Sequence, residues 1–152
     1  MSVLANLAEL KGQWTGTNQL WLTPEQPPRV SETTATVAEA GQGRFVTLAY
    51  TWADKGKPQD GLLVIGYEQS RAKVIAFWLD SWHMSDAIMS CEGTVDEDGA
   101  VEVGGFYAAP PGPDWGWTIR VEPTDDTFRL LMHNVSPQGE SALSVEAVFA
   151  RS

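Results

Sequence analysis

The sequence predicts an all-β domain, an antiparallel up-and-down barrel of about ten strands with a short N-terminal helix, and three observations carry that prediction. Turn-forming clusters recur at short intervals along nearly the whole chain. The stretches between them are rich in β-branched and aromatic residues. No helical pattern separates one stretch from the next, so neighbours in sequence should be neighbours in the sheet, and closing that sheet removes its exposed edges.

The helix comes first. Residues 3–10, VLANLAEL, place apolar groups at 3, 4, 7 and 10, a helical spacing over about two turns. The turn clusters follow: TPEQPP (23–28), GQG (41–43), DKGKPQD (54–60), EQSRAK (68–73), WHMSD (82–86), DEDG (96–99), APPGPD (109–114), PTDD (123–126) and SPQGE (136–140). Their glycines, prolines and aspartates supply positive φ, fixed φ and side-chain caps. WHMSD is the weakest of them. These nine breaks leave ten segments. RFVTLAYTW (44–52), LLVIGY (62–67), KVIAFWL (73–79), DWGWTIRV (114–121), FRLLMHNV (128–135) and ALSVEAVF (142–149) read as strands, as does the threonine-rich SETTATV (31–37).

Composition bounds the function. A chain of 152 residues fits one domain, here 1–152. Ten basic against 20 acidic residues give a formal charge of −10, which repels nucleic-acid backbones and anionic membrane surfaces. No stretch is long and apolar enough for a membrane-spanning helix. Cys91 is the only cysteine, so no intrachain disulfide forms, and a buried, inert thiol is expected. The N-terminus lacks the basic and apolar regions of a signal peptide, and the expected compartment is the cytoplasm.

The first strand opens with Gly12-Gln13-Trp14-Thr15-Gly16. A G-x-W at the start of the first strand, after a short helix, resembles the calycin superfamily of lipocalins and fatty-acid-binding proteins. That resemblance implies that Trp14 plugs the closed end of the barrel and that a basic residue near the C-terminus, here Arg151, packs across it. Further stretches are similar to a bacterial family of calycin-like barrels that carries a domain of unknown function. They are GQWTG (12–16), Pro27-Pro28, GRFV (43–46), GLLVIGY (61–67), FWLDS (77–81), SCEGTVDED (90–98) and VEAVFAR (145–151). The family implies a fold and no activity. The opening GQWTG also looks like nitrobindin-type haem barrels, in which a late histidine ligates the iron; here that histidine is His133.

Strand alternation nominates the interior. One face of the strand at 73–82 holds Val74, Ala76, Trp78, Asp80 and Trp82; the other holds Ile75, Phe77, Leu79 and Ser81, and both are apolar enough to be covered. Trp115, Trp117, Ile119 and Val121 share a face opposite Thr118, Arg120 and Glu122. Phe128, Leu130 and Met132 alternate with Arg129, Leu131 and His133. Candidate ligand-binding residues are therefore Trp78, Asp80, Trp82, Trp117, Arg120, His133 and Glu146, with Trp115 as a further wall. The alternatives are a tryptophan-filled core and an internal pairing of Arg120 with a carboxylate. His83 is expected to be exposed in its turn.

Four readings stay open. The first is a binding module for a small hydrophobic or amphipathic molecule, its polar end anchored by Arg120 or His133. The second is haem ligation by an inward His133. The third is an enzyme on a lipid-like or cyclic substrate, using Asp80, Glu146 and Arg120. The fourth is a protein–protein module built on exposed Trp21 and Trp52, for which a homodimer is one form. No enzyme motif, zinc spacing or specified cofactor is found.

Overall fold

The computed structural model describes residues 3–152. A single turn of helix, α1 (Ala5–Ala8), precedes ten strands: β1 (Gly12–Leu20), β2 (Arg29–Ala40), β3 (Phe45–Asp54), β4 (Lys57–Glu68), β5 (Lys73–Asp80), β6 (Met89–Val95), β7 (Val101–Tyr107), β8 (Trp115–Pro123), β9 (Thr127–Val135) and β10 (Ser141–Arg151). Each strand pairs antiparallel with the next, and β10 pairs with β1 to close the barrel. This is the expected meander, closed without a free edge.

Two boundaries differ from the sequence reading. The helix is shorter than 3–10, although Leu4, Leu7 and Leu10 all bury their side chains under the barrel. Burial at i, i+3 and i+6 does not need a continuous helix; turns on either side of one helical turn deliver the same residues. In the DKGKPQD break only Lys55 and Gly56 form the turn, both at positive φ (51° and 78°), as a two-residue hairpin requires. Lys57–Asp60 already belong to β4. Pro58 is tolerated there because β5 pairs with β4 only from Gly61 onward, so one side of the strand has no ladder to break.

The interior faces follow the two-residue period. Inward residues include Trp14 and Asn18 of β1, Thr33 and Ala35 of β2, Leu48, Tyr50 and Trp52 of β3, Leu63 and Ile65 of β4, and Ala76, Trp78 and Asp80 of β5. Ile119, Met132 and Ala147 continue the layer from β8, β9 and β10. Gly16 lets β1 and β10 cross closely: a Cβ there would lie 1.7 Å from the Val148 carbonyl oxygen. Gly93 does the same for β6 against Glu102 of β7. The outer face of β5 is not covered, since Phe77 is 53% exposed.

The two ends differ. α1 and the links 41–44, 69–72, 96–100 and 124–126 lie at the end where β1 starts. The other end is ringed by 21–28, 55–56, 81–88, 108–114 and 136–140. At the first end Trp14 donates its Nε1–H to the Leu10 carbonyl at 2.7 Å and meets Phe128 edge-on at 4.9 Å. Phe128 in turn stacks on Phe149 at 4.6 Å. The Arg151 guanidinium lies 4.4 Å above the Trp14 ring and donates to the carbonyls of Lys11 and Glu9. Gly12, at φ 130°, leaves room for that guanidinium. No helix among the described residues is long and apolar enough to cross a membrane.

Candidate functional site

The second end holds the candidate site. Its centre is Asp80, the last residue of β5, inward-facing and 2% exposed. A buried carboxylate needs donors on both oxygens, and Asp80 has them. Oδ1 accepts the backbone N–H groups of Trp82 (2.8 Å) and His83 (2.9 Å). Oδ2 accepts the Tyr50 hydroxyl (2.7 Å) and the Trp52 Nε1–H (3.2 Å). Trp78 donates its Nε1–H to the Tyr50 oxygen at 2.9 Å. Burial, and then the neighbouring Asp80 charge, push the Tyr50 phenol well above its ordinary range, so it stays a donor.

Tyr50, Gly61 and Asp80 stand side by side across β3, β4 and β5. A Cβ on Gly61 would lie 2.3 Å from the Tyr50 hydroxyl. Glycine in the middle strand is what lets the tyrosine lie across the sheet to the carboxylate.

By capping residues two and three positions on, Asp80 turns the chain back over the barrel mouth. That places His83 among four indoles: Trp52 (5.6 Å between ring centres), Trp78 (5.8 Å), Trp82 (4.7 Å) and Trp117 (5.2 Å). Trp78 and Trp117 stack on each other at 5.5 Å, only 8° from parallel. Burial lowers the His83 pKa, while Asp80 pulls it the other way; the ring is neutral near pH 7.

Outside this group lies a cleft of about 420 Å³, lined by Trp78, Trp82, His83, Met84, Met89, Tyr107 and Trp117, with Ala87 and Ala108 at its edge. Its wall is mostly apolar, with His83 and Tyr107 as its polar members. Trp117 is 7% exposed, and its Nε1–H has no acceptor among the described residues. Tyr107 is tied off by donating to Asn134 at 2.6 Å.

Of the sequence candidates, Trp78, Asp80, Trp82 and Trp117 come together here. Arg120, His133 and Glu146 do not. Arg120 lies on the outer face of β8 and pairs with Asp96 and Glu122. Glu146 lies on the outer face of β10 and pairs with Arg129, which also pairs with Glu122. These charges form a ladder across the outside of β8–β10, where water spares them the cost of burial. Asp80 and Glu146 therefore share no site, and the carboxylate pair expected of an enzyme is not assembled. His133 alternates with inward Leu130 and Met132 and points outward, so it cannot ligate a haem inside the barrel. Trp52, expected on the surface, is 5% exposed inside the mouth. Trp115 sits in a separate groove with Trp21 and Asn134.

His83 was missed. The signal was the composition of its turn: a link of Trp, His and Met behind a capping aspartate folds inward, whereas an exposed turn favours Gly, Asn and Pro. Cys91 faces the interior, and burial pushes its thiol up to about 11, so it is protonated. Among the described residues no group of three or more His, Cys, Asp or Glu gathers to hold a metal.

No curated protein matches the chain. A crystal structure of Rv2717c from M. tuberculosis is similar, with a TM-score of 0.62 and 16% identity over 100% of this chain and 98% of that one. At that identity the likeness speaks for the fold alone. The family model described as a protein of unknown function (DUF1579) matches residues 3–151, and the chain belongs to the DUF1579 family.

Proposed function

We propose that the protein binds a small, mainly apolar molecule in the cleft at the open end of the barrel. The mostly apolar cleft of about 420 Å³, with the indoles of Trp78, Trp82 and Trp117 in its wall, carries this reading. The Trp117 Nε1–H, buried behind that wall, has no acceptor among the described residues, at a cost of roughly 1–3 kcal/mol. The parallel Trp78–Trp117 pair and the flexible Met84 and Met89 give a flat or aliphatic body large, adaptable contact area. The G-x-W opening, with Arg151 across Trp14, supports a place among the calycins. The lone, buried Cys91 supports a reducing, cytoplasmic setting.

Native mass spectrometry of the freshly purified protein, compared with its denatured mass, tests for a carried ligand and reads the oligomeric state. Titration with N-phenyl-1-naphthylamine, a neutral apolar fluorophore, tests the cleft directly. Saturable one-to-one binding that Ala87→Trp abolishes by filling the cleft is the expected result. Binding that Ala87→Trp leaves unchanged, or no saturable binding at all, overturns the assignment.

A further inference from the structure

Behind His83 lies a second compartment. It is small, about 10 Å³, room for one water-sized group. Its walls are Asn18, Thr33, Tyr50, Trp52 and Asp80 on the polar side, with Leu130, Met132 and Val145 among the apolar residues opposite. His83 lines both this chamber and the outer cleft, and it alone does so. Its ring makes no side-chain hydrogen bond among the described residues; ring contacts hold it in place, while its backbone is fixed to Asp80.

The chamber has its own unsatisfied group. Asn18 faces inward from β1 and is 5% exposed, and its carboxamide makes no hydrogen bond to another described residue. Apart from the His83 ring, every other polar wall group is committed: Thr33 donates to the Thr51 carbonyl at 2.7 Å, and Tyr50, Trp52 and Asp80 bond one another. Asn18 offers both a donor and an acceptor. No lysine or arginine lines the chamber, and the Asp80 carboxylate forms part of its wall. An anionic group placed there would meet a like charge and no counter-charge.

We propose that this chamber is the inner half of the binding site, and that it takes an uncharged hydroxyl or carboxamide at the end of the ligand once His83 turns aside. The ligand class is then a neutral amphiphile such as an alcohol or primary amide, with its apolar body in the cleft and its polar end on Asn18. A carboxylic acid is excluded, because Arg120, which would have paired with it, is outside the barrel. This inference rests on the cleft being a ligand site.

Calorimetric titration with 1-decanol, decanamide, decanoate and a decane-saturated solution tests it, on wild type, Asn18→Leu and His83→Ala. Decanol and decanamide should bind at least tenfold more tightly than decanoate. Asn18→Leu, close in size, should weaken the alcohol and amide about tenfold, the loss of one buried hydrogen bond, while decane binding holds. His83→Ala should tighten the alcohol. A thermal melt confirms that each variant is folded, and Asn18→Ala serves as a second variant if Asn18→Leu is not. Decanol affinity unmoved by either Asn18 variant, or decanoate binding as well as decanol, overturns the inner chamber and leaves the outer cleft standing. Failure of all four probes to bind wild type overturns both.

Discussion

The two ends of this barrel are built from the same aromatic material and finished differently. At the helix end Trp14 is buried, its N–H is bonded to Leu10, its edge meets Phe128, and its face carries Arg151. The polar atoms that come to that indole have partners. At the other end Trp52, Trp78, Trp82 and Trp117 crowd around one histidine, yet the Trp117 N–H and the Asn18 carboxamide lack partners, and a cleft opens between the rings. Natural cores leave few buried polar groups unpaired. Where the same chain satisfies one indole and leaves another open, packing alone does not account for the second. The first end is closed by packing, and the second carries the cleft proposed above as the binding site.

The largest effect that tests this comparison is at the plug. Trp14→Ala removes the ring on which Phe128 and Arg151 rest, and a cavity of that size costs about 3–5 kcal/mol. Urea unfolding should show the midpoint fall with little change in slope. A loss below about 1 kcal/mol would mean that the leucines of the N-terminal segment, Leu4, Leu7 and Leu10, close the barrel without it.

A sharper test changes one atom type at both ends. Trp14→Phe and Trp117→Phe each remove an indole N–H and a similar volume. The first breaks a buried hydrogen bond and strands the Leu10 carbonyl; the second deletes a donor that had no acceptor. Trp14→Phe should therefore be the more destabilising of the two by about 1 kcal/mol or more. Equal losses in urea would mean that Trp117 has an acceptor in solution, and the contrast between the ends would be gone.

The plug was legible in sequence and the site only in half. Strand number and order followed from turn chemistry and β-branched runs, because each of those signals is local. Trp14 and Arg151 lie at opposite ends of the chain, and only a family resemblance could pair them. Trp78, Asp80 and Trp117 were reachable because strand period puts them on one face. Arg120, Glu146 and His133 were misplaced for the same reason: period gives two faces and does not say which is inside. On β8, β9 and β10 the cheaper solution puts the charges out, where Arg120, Glu122, Arg129 and Glu146 neutralise one another in water. His83 was missed because its position depends on Asp80 capping a turn, and on the indoles that β3, β5 and β8 bring to that turn.

The smallest effect concerns that histidine and tests whether its ring is really inside. Burial depresses the His83 pKa below its ordinary value of 6.5, so the unfolded chain binds a proton more readily than the folded one. Stability from the neutral ring is then complete above about pH 6.5 and declines as pH falls through that value toward the folded pKa. Asp80, the charged group beside the ring, works against this and narrows the window. The phenol of Tyr50 stays protonated throughout. Glu68, Glu92, Asp96 and Glu122 are held below their usual range by arginine and lysine partners, so their contribution is lost only at more acid pH. Between pH 7.5 and 5.5 wild type should lose up to about 1 kcal/mol in urea unfolding, less than a fully dry site would give because part of the ring meets solvent. His83→Gln should flatten that slope. A wild-type slope equal to that of His83→Gln would place the ring in solvent, with the chamber and the cleft already joined, and the gate between them would be unnecessary.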